Sequence, residues 1–428
     1  MANSRLLLNL LAMLLCQLVF WQWGLSYEHL LTLSGYLAIN FMSITMLLAM
    51  RPVWLESVLG GLDKIYQLHK WTGILAVIFA LGHLLIEMTD DFFKAQFGKE
   101  RSLREADFSG VLDGLQELAE DFGEPGFYLL LALVIITLIK WLPYHYWRYL
   151  HRAMPLVYLA LAAHALLLAP LLWWSQPVGW LMGFLIFCGL VASLLSLSGK
   201  VGKSHRWQGL VQMVRQLSHN TIEVVCDMGQ YWPGHKAGQF ALVTFDRSEG
   251  AHPFTMASAD HHNGRLYFHI KALGDYTSTL RHRLKPGQAV TVEGPYGRFN
   301  PNTGNVSAQQ IWVAGGCGIT PFLAALESRI YATEKSYSAV VLHYCTQLTE
   351  NDPVVARLQE LAARLPEVTL CIYQSQQGQL LTSAQLQIHS ATVDIWFCGP
   401  SGLATALRHE LKQQPISVRF HQEHFEFR

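Results

Sequence analysis

Four histidines stand within or beside long apolar runs, in two matched pairs: His69 and His83 are fourteen positions apart, His151 and His164 thirteen. Ionisable side chains at bilayer depth are costly and tend to mark function. At 1.5 Å per residue either separation is roughly 20 Å along a helix, about the depth difference between two haems stacked across a bilayer. One imidazole from each segment would then give each iron two axial ligands. Any one of these residues alone reads more naturally as a buried, hydrogen-bonded histidine, and it is the matched set that reverses the balance. If both segments run outward, His69 pairs with His151 and His83 with His164. Fourteen residues return to within roughly 40° of the same helical face, whereas thirteen miss it by roughly 140°. The second segment therefore needs a kink, and Pro155 stands between its two histidines. His29, His145 and His205 have no partner at matching depth and read as solvated.

Further along, three short motifs carry a second chemistry, with a tight turn between the second and the third. HPFTMAS at 252–258 sets an aromatic beside a hydroxyl on a strand, which suits a flavin ring needing one packing surface and one donor. KALGDYTSTL at 271–280 places Gly274 and Thr277 at a helix start, where unpaired N–H groups can hold a pyrophosphate. EGPYG at 293–297 reads as a tight closing turn. AGGCGITP at 314–321 is a glycine-rich turn between a strand and a helix, which lets backbone approach a phosphate. It is not the G-x-G-x-x-G fingerprint, and alone it could be an ordinary tight turn.

These motifs need scaffolds of two kinds. The chain of 428 residues is 51% hydrophobic and only 14% charged, richer in apolar residues than a soluble protein of that length. Its formal net charge is zero with no long basic run, so nucleic acid is not an expected partner. Seven cysteines are scattered without C-x-x-C or zinc spacing, as reduced cytosolic thiols would be. Uncharged stretches cover Leu6–Tyr27, Leu30–Met50, Trp71–Ile86, Gly126–Ile139 and Ala153–Gly199. The last is long enough for two spans, broken around Pro170 and residues 175–177, so six spans are expected. Arg51 and Lys64, then Lys140, Arg148 and Arg152, then Lys200, Lys203 and Arg206 mark three cytoplasmic flanks and put both termini in the cytoplasm. The acidic segment from Glu87 to Glu124 faces outward, and Leu103–Phe122 reads as a weak helix capping the outer face. Lys70, Arg148 and Arg152 could neutralise haem propionates, though positive-inside topology accounts for them better. From Ser204 short strands follow, at Thr221–Cys226, Phe240–Phe245, Leu266–Ile270 and Ala289–Val292, reading as a small β-barrel. After Asn300 the pattern changes to a strand at Gln310–Ala314, the glycine-rich turn and a helix from Phe322, which is an α/β nucleotide-binding unit.

In the order paired His, HPFT, GDYT, EGPYG, GGCGITP and finally FCGP at 397–400, the chain resembles the ferric reductase and NADPH oxidase superfamily over nearly its whole length. The resemblance implies a six-span α-helical membrane bundle plus a ferredoxin-reductase-like module, made of an antiparallel β-barrel FAD domain and an α/β nucleotide-binding domain. Domains are expected at 1–200, 204–305 and 306–428. It implies His69, His83, His151 and His164 as ligands of two b-type haems. FAD would be held by His252, Pro253, Phe254, Thr255, Lys271, Gly274, Thr277, Glu293 and Gly294. NADH or NADPH would lie on Gly315, Gly316, Gly318, Ile319 and Thr320, with Cys398, Gly399 and Pro400 beside the nicotinamide. Thr255 and Cys398 would act at the reacting rings, with an aromatic near the C-terminus, Phe427 or Phe425, stacked on the flavin. Members that prefer NADPH tend to carry basic residues where this chain reads YCTQ at 344–347 and QGQLL at 377–381, which favours NADH. No calcium-binding D-x-[DN]-x-[DN]-G loop precedes the spans. The expected activity is electron transfer from cytoplasmic NAD(P)H to an outer acceptor, either oxygen, giving superoxide, or a ferric chelate. An electron-delivery subunit serving a partner protein on the outer face is the alternative, and a flavin reductase using its helices only as an anchor is a third. The implied location is the inner membrane of a bacterium, with the flavin module cytoplasmic.

Overall fold

Apolar runs of this length can satisfy their backbone groups in lipid only as helices. The computed structural model describes residues 27–97, 111–139, 144–332, 337–347 and 352–423, which divide into one unit up to Lys203 and a second from Ser204 onward. In the first unit α1 (Tyr27–Ala49) is followed by short α2 (Val53–Leu59), α3 (Leu62–Met88) and α4 (Asp90–Phe97). Then come α5 (Val111–Leu138), α6 (Tyr144–His151), α7 (Met154–Leu168) and α8 (Pro177–Leu197). Five segments among the described residues are long and apolar enough to cross a membrane: Tyr27–Ala49, Leu62–Met88, Gly114–Leu138, Tyr146–Leu168 and Pro177–Leu197. The first expected span, Leu6–Tyr27, lies outside the described residues except for its last tyrosine.

Two details differ from the expectation or explain it. From Val111 the acidic segment is not a separate cap, because α5 runs unbroken from there through Pro125 to Leu138. The segment carrying His151 and His164 is interrupted: α6 stops at His151 and α7 restarts at Met154. At the junction the Ala153 N–H donates to the Leu150 carbonyl at 3.0 Å, and the Leu156 N–H to the Ala153 carbonyl at 3.0 Å, the i→i−3 pattern of a tightened turn. Pro155 falls in the first turn of α7, where its missing N–H costs nothing. The break lies between two histidines whose spacing required one. Tyr158, 1% exposed, then fastens α7 to its neighbours, its hydroxyl lying 2.8 Å from Ser43 Oγ on α1 and 3.2 Å from the Ile186 carbonyl on α8. A Cβ at Gly189 would come within 2.1 Å of that phenol oxygen, so only glycine leaves it room.

The second unit begins with β1 (Arg206–Ser218), β2 (Thr221–Asp227), β3 (Phe240–Thr244), β4 (His252–Thr255) and β5 (Arg265–Lys271). Helix α9 (Asp275–Arg283) and β6 (Ala289–Tyr296) complete this lobe. The six strands form one antiparallel sheet in the order β4-β3-β6-β1-β2-β5 around Val211, Val224, Val243, Met256, Phe268 and Val292. A bridge between Met256 and Phe268 brings the chain leaving edge strand β4 against β5, the strand at the other edge. Next follow β7 (Gln309–Gly315), α10 (Thr320–Tyr331), β8 (Val340–Thr346), α11 (Pro353–Ala363) and β9 (Val368–Gln374), then β10 (Thr392–Cys398), α12 (Ser401–Leu411) and β11 (Ser417–Gln422). These strands are parallel, in the order β11-β10-β7-β8-β9. Apolar clusters cover both faces, around Trp312 and Leu358 on one side and Ile311 and Leu407 on the other. The strand order reverses between β7 and β10, and the crevice at their carboxyl ends is where such sheets bind ligands.

Buried Asp394 on β10 ties the last strand down. Its carboxylate accepts from Arg419 Nε at 2.7 Å, from the Asn305 N–H at 2.8 Å and from Gln310 Nε2 at 3.3 Å. Burial pushes its pKa up, but the bonds from Asn305, Gln310 and Arg419 outweigh burial and leave it below the usual 3.8. Its contribution to stability is therefore complete above about pH 4–5 and lost as the pH falls through the lowered folded value. In melts of the detergent-solubilised chain from pH 3 to 7, Asp394→Asn should lose about 2 kcal/mol at pH 7 and show a flatter acid limb. An acid limb as steep as that of the unmodified chain would contradict this.

Candidate functional site

The sequence-derived histidine pairs face one another across α3, α6 and α7. The ring centroids of His69 and His151 are 6.1 Å apart, and those of His83 and His164 are 6.4 Å apart. Two imidazoles sharing one metal ion, each nitrogen about 2.0 Å from it and each ring centre about 1.1 Å further back, would have centroids about 6.2 Å apart. Among the described residues no three His, Cys, Asp or Glu converge as a metal site. A two-ligand site suits an iron whose other four ligands come from a macrocycle.

The ring tautomers fit as well. His69 Nδ1 lies 2.9 Å from the Thr45 carbonyl, His83 Nδ1 2.9 Å from that of Leu31, and His164 Nδ1 2.7 Å from that of Ala119. A carbonyl can only accept, so Nδ1 carries the proton and Nε2 keeps its lone pair. His151 Nδ1 meets Thr137 Oγ1 at 3.2 Å, and that hydroxyl gives its own proton to the Leu133 carbonyl at 2.8 Å, which leaves its oxygen to accept. Space for the outer rings comes from glycine: a Cβ at Gly35 would lie 3.1 Å from the His83 ring, and one at Gly123 would lie 2.6 Å from that of His164. None of these supporting groups is singled out by the sequence. Arg148 and Arg152, considered above for propionates, both lie over the Tyr149 ring at 5.5 and 5.7 Å.

In the second unit the flavin-motif residues lie on β4, β5, α9 and β6. His252 stacks on Tyr276 with centroids 4.5 Å apart, joining β4 to α9; Tyr276 was not singled out from the sequence. Phe254 and Thr255 are half-buried on β4 beside Pro253. Gly274 caps α9, and Thr277 Oγ1 accepts from the N–H groups of Leu273 and Gly274 at 3.0 and 3.1 Å. The hydroxyl thus organises the helix entry, leaving the amides of 275–277 as the first-turn donors that helix geometry leaves over. Glu293 accepts from Tyr296 Oη at 2.7 Å and Arg206 Nε at 2.9 Å, fixing the turn through Gly294, whose φ of +147° favours glycine. Lys271 ends β5 with its Nζ 3.8 Å from where a Cβ on Gly316 would stand, so a cation from the flavin lobe reaches the nucleotide turn.

That turn abuts the FCGP turn backbone on backbone. A Cβ at Gly315 would lie 2.6 Å from Pro400, one at Gly318 2.1 Å from the Cys398 carbonyl, and one at Gly399 2.9 Å from the Gly315 nitrogen. Thr320 Oγ1 donates to the Cys317 carbonyl at 2.7 Å, and Ile319 is buried. Burial, with smaller contributions from Glu423 and Cys317, pushes the Cys398 thiol well above its usual pKa, so it is protonated at neutral pH. The expected stacking aromatics Phe425 and Phe427 lie outside the described residues.

Apolar helices carrying paired histidines, joined in one chain to a flavin and nucleotide fold, describe a membrane flavin-dependent oxidoreductase. Residues 34–162 match the family model for the ferric reductase like transmembrane component, and residues 206–300 match one for an FAD-binding domain. The toluate 1,2-dioxygenase electron transfer component of Pseudomonas putida is 26% identical over 233 residues, 51% of this chain and 67% of that protein. The anthranilate 1,2-dioxygenase electron transfer component of Acinetobacter baylyi is 25% identical over 191 residues, 42% of this chain and 54% of its own. Dual oxidase of Drosophila melanogaster is 33% identical over 114 residues, 24% of this chain but 7% of that protein. The chain thus spans about half of the second relative and a small part of the third. The two matched segments and the dual oxidase likeness support the ferric reductase and NADPH oxidase superfamily. Because Gly318 has no room for a Cβ, Gly318→Ala should slow NADH-driven flavin reduction on the order of 100-fold with FAD still bound. Stopped-flow flavin bleaching at the unmodified rate would contradict that reading of the turn.

Proposed function

We propose that this chain takes electrons from cytoplasmic NAD(P)H, with a preference for NADH, and delivers them across a bacterial inner membrane to oxygen or a ferric chelate on the outer face. Residues 1–200 would form the electron-carrying membrane domain, 204–305 the FAD domain and 306–428 the nucleotide domain. A flavin, when bound, converts the two-electron hydride into single electrons, the form in which a haem iron accepts them. His69 with His151 would hold the inner haem and His83 with His164 the outer one. The observation that carries this reading is the pair of facing imidazole sets, each ring holding its Nδ1 proton against a fixed acceptor.

In the soluble unit, β4 and the entry of α9 would bind FAD through His252, Pro253, Phe254, Thr255, Gly274 and Thr277, with Lys271 and the Glu293–Gly294 turn beside them. The turn from Gly315 to Thr320 would take the nucleotide pyrophosphate. Cys398, Gly399 and Pro400 would border the nicotinamide, with the Cys398 Sγ protonated and uncharged. Gln347 and Gln377 are exposed where a 2′-phosphate would call for guanidinium groups, which supports NADH. The names of the first two relatives, both electron transfer components, favour a second reading in which a protein on the outer face receives the electrons.

The reduced-minus-oxidised visible spectrum of the purified chain should report two haems, and His83→Leu or His164→Leu should each remove haem. Full two-haem spectra in both variants would overturn the ligand assignment. NADH should exceed NADPH in kcat/KM by about tenfold or more, since charge-assisted hydrogen bonds to a 2′-phosphate are missing. Comparable values would refute the nucleotide preference.

A further inference from the structure

Among the buried charged groups of the second unit that the proposed function does not use is Glu327. Glu327 lies on α10, the helix that begins at the glycine-rich turn, and is 9% exposed. Its Oε2 accepts the backbone N–H of Ala259 at 2.8 Å, and its Oε1 accepts from Arg357 Nη2 on α11 at 2.9 Å. His261 Nε2 stands 3.5 Å from Oε2, while the His261 ring meets Tyr331, the last residue of α10, edge-on at 5.1 Å. The carboxylate forms part of the wall of a groove of about 620 Å³ between the antiparallel sheet and helices α10 and α11.

Ala259 is the fourth residue after Thr255, on the chain leaving the flavin strand. The intervening residues are held as well: Met256 N–H donates to the Gln239 carbonyl at 3.0 Å and Ala257 N–H to that of Tyr267 at 2.7 Å, and the Ser258 carbonyl lies 3.1 Å from His235 Nε2. On the other side, Thr320 and Glu327 are seven residues apart on one helix, a rigid rise of roughly 10 Å. A single side chain thus links the flavin strand to the helix that opens on the nucleotide turn. Elsewhere α10 is gripped through Asn302 of the connection between the lobes, which donates to the Ala325 carbonyl at 3.0 Å and to Ser328 at 2.8 Å. Hydride transfer is steep in distance, with a misplacement of about 1 Å costing on the order of 100-fold.

We infer that Glu327 is a positioning residue for hydride transfer: by its reach to the Ala259 N–H it sets the distance between the flavin strand and the nicotinamide turn. This rests on the NADH-to-flavin reading. Reach, not charge, is what the role demands, so the conservative variants separate the two. Glu327→Gln keeps an acceptor oxygen at the same length. Glu327→Asp keeps the charge facing Arg357 and His261 but falls short by about one methylene, roughly 1.5 Å.

The test is single-turnover flavin reduction by NADH, and by NADH deuterated at the transferred position, in the full-length chain. Glu327→Gln should stay within about threefold of the unmodified limiting rate. Glu327→Asp should fall on the order of tenfold, with FAD content and NADH affinity unchanged and the isotope effect retained. Asp reducing as fast as Glu, Gln slowing more than Asp, or rate and FAD content falling together would each overturn the inference. Absence of flavin reduction in the unmodified chain would instead remove the dehydrogenase reading, and the inference with it.

Discussion

A neutral imidazole has one donor nitrogen and one acceptor nitrogen, and away from water the donor must find a partner within the protein. In the membrane unit that requirement is met for each of the four histidines at Nδ1, by the carbonyls of Thr45, Leu31 and Ala119 and by the Thr137 hydroxyl. The choice leaves every Nε2 as a lone-pair atom. The rest of the unit serves that arrangement. The break after α6 re-aims His151 relative to His164, Gly35 and Gly123 make room for the outer rings, and Tyr158 fastens α7, which carries His164, to α1 and α8.

The second unit answers a different constraint, the close approach of two backbone turns at the strand-order reversal. Gly315, Gly318 and Gly399 are required there because the turns after β7 and β10 touch each other, whatever else they bind. The glycine-rich turn and the tight inter-turn contact are therefore one feature. Lys271 approaches this place from the flavin lobe, and Glu327 holds α10, which leaves it, to the flavin strand. Both therefore link the antiparallel-sheet lobe to the parallel-sheet lobe.

How legible all this was in the sequence follows from where the information lay. Spacing alone paired the histidines and exposed the phase conflict at His151 and His164, because helical rise and rotation are regular. Strand β2 was legible from its β-branched run, but β1 was not: RWQGLVQMVRQLS lacks clean alternation, and its pairing with β2 is interrupted between Val211 and Met213 and again between Gln216 and Ser218. The Nδ1 acceptors were hidden because most are backbone carbonyls, which any residue type supplies. Nothing in the sequence singles out Glu327, since its partner is an N–H sixty-eight positions away. The helical start of Val111–Phe122 was partly legible, but its continuity with the span was masked by Pro125, which α5 accommodates.

The central claim is that electrons cross the bilayer. It is tested most directly with the chain reconstituted in sealed vesicles, its flavin module outside and a membrane-impermeant ferric chelate trapped inside. Adding NADH to the outside should reduce the trapped iron, and a chain lacking His83 should lose that reduction while its flavin still accepts electrons from NADH. Outside NADH oxidation with the trapped chelate left fully ferric would contradict the account.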